Sequence, residues 1–83
     1  MSQLSLETKT NLSPEAVIAA AKEKFKEELG MDIKEEAECC LRLVGGGGFV
    51  YIQAESMADK TKVVLEGREW SYHIKGFTAS IAE

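Results

Sequence analysis

Three features of this sequence carry residue types with chemical potential: the run Gly45-Gly46-Gly47-Gly48, the adjacent pair Cys39-Cys40, and the single histidine, His73. A phosphate-binding glycine loop leads into a helix N-terminus, with a Lys-Ser/Thr pair or a further spaced glycine, so that backbone N–H groups face the anion. Here the run leads into Phe49-Val50-Tyr51-Ile52, which is a strand pattern. Dinucleotide and P-loop readings therefore fail. The glycines read as a loose hairpin tip that supplies positive φ, or as a mobile flap over a cavity.

A zinc site takes about four ligands. His73 adds one imidazole to two cysteines that alternation would point apart, and no C-x-x-C is present, so neither a metal nor a cofactor is expected. Neighbouring residues of a strand face opposite sides, which makes Cys39 and Cys40 reduced, small apolar side chains rather than an ordinary disulfide. No serine or cysteine can be matched to His73 as a nucleophile. Glu27-Glu28 and Glu35-Glu36 read as solvated runs. The chain is not expected to be an enzyme.

The elements that would position these residues follow from periodicity. Leu4, Leu6 and Thr8 alternate with Ser5, Glu7 and Lys9, giving an edge strand with one buried face. Ser13-Pro14-Glu15 opens a helix, with Ser13 as N-cap, proline at the first helical position, and Leu12 and Val17 placed for a hydrophobic staple. Val17, Ile18, Ala21, Phe25 and Leu29 share one face of that helix, and Gly30 ends it. After a polar connection, Ala37 to Val44 and Phe49 to Ala54 form a hairpin around the glycines. Thr61 to Glu66 adds a fourth strand. The segment 70–82 alternates like a strand at first, yet Trp70, Ile74, Phe77 and Ile81 make a tight helical stripe, and a C-terminal helix is expected.

The order β-α-β-β-β-α implies a two-layer α+β fold, with two helices on one face of a four-stranded, mainly antiparallel sheet. The 83 residues are read as a single domain spanning 1–83. With 45% hydrophobic and 29% charged residues the chain reads as folded, and its net charge of -4 argues against nucleic acid or anionic membranes as partners. No stretch approaches the roughly 20 apolar residues of a membrane span, and MSQLSLETKT lacks a signal-peptide pattern. A cytoplasmic location is the expectation.

If the helices cover the face holding Leu41, Ile52 and Leu65, the other face presents Arg42, Val44, Phe49, Tyr51 and Val64, which is too apolar for plain solvent surface. Those five residues are the candidate contact with a protein partner or a second copy. The order of elements is also similar to a much-shortened helix-grip domain. That resemblance implies an apolar ligand held between sheet and C-terminal helix, with Phe25, Trp70, Phe77, Gly46 and Gly47 as the candidate lining. The expected function is thus a small non-enzymatic interaction module, with an apolar-ligand binder as the alternative.

Overall fold

The computed structural model of the chain describes residues 3–82. Strand β1 spans Leu4–Thr10 and helix α1 spans Pro14–Ala21, continuing without a break into a π-helical segment, Lys22–Glu28. Strands β2 (Asp32–Glu36), β3 (Cys40–Gly45), β4 (Gly48–Ser56) and β5 (Thr61–Arg68) follow, and helix α2 (Ser71–Ile81) closes the order.

The start of α1 obeys its local chemistry. Ser13 lies outside the helix and its Oγ accepts the Ala16 N–H at 3.1 Å, with Pro14 next and Glu15 in the first turn. A cap of this kind contributes about 1 kcal/mol. Leu12 stays 39% exposed while Val17 is fully buried, so the expected staple does not close over Leu12. At the far end the Leu29 N–H reaches back to the Lys24 carbonyl at 3.2 Å and the Met31 N–H to that of Phe25 at 2.9 Å. These wide rings satisfy carbonyls that an α-helix end would leave open. Gly30, at φ +76, then turns the chain toward β2.

All neighbouring strands are antiparallel, in the order β1-β5-β4-β3-β2. The α+β class and the two helices agree with expectation; the strand number does not. The sheet has five strands, because Asp32–Glu36, read from sequence as a polar connection, pairs along β3. Four of its five residues are charged and its register shifts between Ile33 and Glu35, so it shows no clean alternation. Edge strands tolerate such composition because only one side of the backbone must be paired. The corrected order is β-α-β-β-β-β-α, and α1 carries the chain from one edge of the sheet to the other. An exposed ion pair, Lys22 Nζ to Glu36 Oε2 at 2.7 Å, ties the π-helical segment to β2.

Both helices lie on the same face, α1 over β3 and β4 and α2 over β1 and β5. Leu41, Leu43, Ile52 and Leu65 on the sheet are fully buried against Val17, Phe25 and Ile74 from the helical layer. Each such side chain is worth about 1.5–3 kcal/mol relative to exposure. Residues 71–81 are helical: Ile74, Phe77 and Ile81 are buried, and Trp70 packs half-buried just before the first turn.

Candidate functional site

Strand alternation sends every second residue of the sheet away from the helices. In register across the middle of that outer face, Tyr51 on β4 lies between Arg42 on β3 and Glu66 on β5. The Arg42 guanidinium carbon sits 4.3 Å from the centre of the Tyr51 ring. Its Nε–H donates to Glu35 Oε1 on β2 at 3.2 Å, and Gln53 Nε2 donates to the Tyr51 hydroxyl at 3.2 Å. One row along, Phe49 lies opposite Val44 and Arg68; on the other side Gln53 lies opposite Val64 and Cys40.

The structure therefore brings Arg42, Val44, Phe49, Tyr51 and Val64 onto one contiguous patch, each half-buried by its neighbours. With both helices on the opposite face, no element among the described residues lies over it. Lys9, Lys62 and Arg68 alternate with Glu7, Glu55 and Glu66 around the apolar centre. An apolar middle thus lies inside a rim of mixed charge.

The cysteines depart from expectation. Cys39 and Cys40 form a disulfide between adjacent residues. The alternation argument fails because Cys39 lies in a bend, and β3 begins only at Cys40. Ala37 and Cys40 exchange N–H···O bonds of 2.8 and 3.3 Å, a tight turn that folds the two side chains together. The bridge sits at the rim of the patch, with Cys39 exposed.

The residues of the alternative site are divided between two places. Phe25 and Phe77 pack edge to face in the core, ring centres 5.6 Å apart. Trp70 lies instead against the glycine turn: its Nε1–H donates to the Gly45 carbonyl at 2.8 Å and its ring covers Gly46. Gly46 and Gly47 have φ of +56 and +82, the two central residues of a two-residue turn closed by Gly45 and Gly48. This requirement for positive φ at both positions accounts for glycine there, and the tryptophan ties down a tip that the sequence suggests is loose. Between α2 and the sheet the space is filled, since a Cβ on Gly67 would overlap Ile74 Cδ1.

A groove of about 790 Å³ opens instead between the two helices, with Phe77, Tyr72, His73, Glu23 and Lys24 among its lining. His73 is half-buried there, its ring 5.3 Å from that of Tyr72 and 5.8 Å from that of Trp70. Its ring contacts come from the neighbouring aromatics of its own segment and not from the apolar stripe.

Among the described residues there is no group of three or more His, Cys, Asp or Glu side chains that could hold a metal ion, and no helix long and apolar enough to cross a membrane. No family model matches the sequence, nor does any curated protein.

Proposed function

We propose that this chain is a non-enzymatic interaction module that holds a protein partner on the outer face of its sheet. The observation that carries the reading is Arg42 stacked on Tyr51 at the centre of an uncovered apolar patch. Arginine and tyrosine dominate protein contacts because each combines a large flat surface with directed polar groups. Held by Arg42 and Gln53, the Tyr51 ring has little freedom left to lose on binding, which lowers the cost of association. The rim mixes both signs, so the partner it suits is a protein surface with an apolar centre; a nucleic acid would want a basic surround.

A photo-reactive phenylalanine analogue at Gln53, with one at Tyr72 as control, tests the reading. The expected result is a partner captured at position 53 only, whose purified form binds Tyr51→Ser at least about tenfold more weakly than the original chain. Capture equal at both positions, or binding indifferent to Tyr51→Ser and Arg42→Ala, would overturn it. A cytoplasmic location belongs to the same proposal. In that reducing setting the Cys39–Cys40 bridge would be transient, not structural.

A second reading, an apolar-ligand binder, is favoured by the groove between the helices, where Phe77 and the 83% exposed Tyr72 offer apolar contact. Titration with fatty acids or aromatic metabolites, read by Trp70 fluorescence, checks it; a flat response throughout rejects it.

A further inference from the structure

The two edges of the sheet are built differently. Edge strand β2 is short, mostly charged and bulged, the usual means of preventing a second chain from pairing there. Edge strand β1 is longer and unbulged, and its charges are limited to Glu7 and Lys9. It runs seven residues in unbroken register against β5, from Leu4 opposite Gly67 to Thr10 opposite Thr61. It contains no proline, and its inward side chains, Leu4, Leu6, Thr8 and Thr10, are all uncharged.

The direction of its free backbone groups follows from alternation. In an antiparallel ladder, successive residues send N–H and C=O to opposite sides of the strand. The Ala54 N–H donates to the Cys39 carbonyl, so the inward-facing residues of β4 bond toward β3 and the outward-facing ones toward β5. Carried across β5, the same alternation has Leu6 and Thr8 bonding to β5. Ser5, Glu7 and Lys9 then present their N–H and C=O groups at the open edge.

We propose that two copies of this chain pair antiparallel along β1, about a twofold axis at Thr8, to make one continuous ten-stranded sheet. Charge selects that register. Sliding by one repeat either way sets Glu7 against the partner's Glu7 or Lys9 against the partner's Lys9, and directly opposed like charges are destabilising. Centred on Thr8, Glu7 meets the partner's Lys9 and Lys9 meets the partner's Glu7. These are also the residues whose backbone groups point outward, so each pair exchanges two hydrogen bonds. Lys9 gains further, because within its own sheet it lies opposite Lys62.

The helical layer leaves room for the second copy. At about 100° per residue, Ser71 and Thr78 fall on the flank of α2 turned away from the helix groove. Both are small, so the two α2 helices can approach above the joined strands, covering the half-buried Leu4 and Leu6. This dimer uses a different surface from the outer-face reading. It sets two Tyr51 patches side by side on one broad face.

Light scattering after size exclusion, from micromolar to millimolar chain, tests it. The expected mass rises to twice the 9.1 kDa of one chain. Glu7→Lys and Lys9→Glu should each weaken the dimer about tenfold or more, and the double variant E7K/K9E, which restores opposite charges, should recover it. Glu7→Pro removes an N–H that β5 does not use and should leave a folded monomer by circular dichroism. A monomer at millimolar concentration, a double variant as weak as the singles, or a dimer lost with Tyr51→Ser but kept in E7K would each overturn the β1 dimer. The last of these would support association through the outer face instead.

Discussion

The indole N–H of Trp70 donates to the Gly45 carbonyl at 2.8 Å, so the residue that leads into α2 also fastens the β3–β4 hairpin. The same ring limits what the turn can accept. A Cβ on Gly46 would lie 3.0 Å from Trp70 Cζ2 as well as sitting at φ +56, whereas a Cβ on Gly47 would meet open space. Gly46→Ala should therefore cost more than Gly47→Ala, which bears only the left-handed backbone penalty of about 1–2 kcal/mol. Trp70→Phe removes one hydrogen bond and should cost about 1 kcal/mol. Thermal melts of the three variants check the order; Gly46→Ala melting at or above Gly47→Ala would contradict the role given to Trp70.

Gly67 and Ile74 set how closely α2 rests on the sheet. A Cβ at Gly67 would overlap Ile74 Cδ1 and come within 2.7 Å of the Phe49 carbonyl oxygen. Gly67→Ala should therefore destabilise by about 2 kcal/mol or more through overpacking. In a domain of this size that lowers Tm by about 8–16 °C. Ile74→Val removes the overlapping methyl, so its cost in the Gly67→Ala background should be smaller than in the original chain. The Phe49 backbone remains in the way, so rescue is partial. Urea denaturation of the four proteins measures the coupling, and strict additivity would show that the two residues do not touch.

The disulfide makes its own testable statement. In protein isolated without reductant, Cys39 and Cys40 should take no alkylating label until a reducing agent opens the bridge, and then two. Because the bridge closes the smallest possible loop, it removes little chain entropy. C39S/C40S should shift stability by about 1 kcal/mol or less, below the usual 2–4 kcal/mol of a disulfide. Full labelling of the untreated protein would return both residues to the thiol state.

Much of the fold is legible in the sequence because its signals are local. Ser13-Pro14-Glu15 dictates a helix start by hydrogen-bond demand alone, and Ile74, Phe77 and Ile81 repeat at a spacing only a helix can bury. Strand β2 is not legible: one apolar residue among four charged ones has no period, and only pairing with β3 makes it a strand. The π-helical segment is hidden for a different reason, since Ala21, Phe25 and Leu29, four apart, suit a wide turn as well as an α-helix. At the outer face, alternation alone places Arg42, Val44, Phe49, Tyr51 and Val64 on one side. The stacking of Arg42 on Tyr51, with its anchor Glu35 on the unseen strand, needed the register.

That stack can be separated from the packing around it. Arg42 and Tyr51 are neighbours in register, and the guanidinium lies over the ring while Glu35 holds its Nε from the far side. A partly exposed cation–π contact is worth about 0.5–1 kcal/mol, and the exposed Arg42–Glu35 pair adds at most about the same. A double-mutant cycle with Arg42→Met and Tyr51→Leu should therefore give a coupling of about 0.5–1 kcal/mol in stability, while Glu35→Gln alone should change little. High salt should weaken the Glu35 contribution and leave most of the Arg42–Tyr51 coupling, because screening acts on exposed ion pairs before it acts on a cation seated against a ring. A coupling of zero would mean that Arg42 swings free of Tyr51 in solution. The outer face would then lack the preformed anchor on which its proposed use as a binding surface rests.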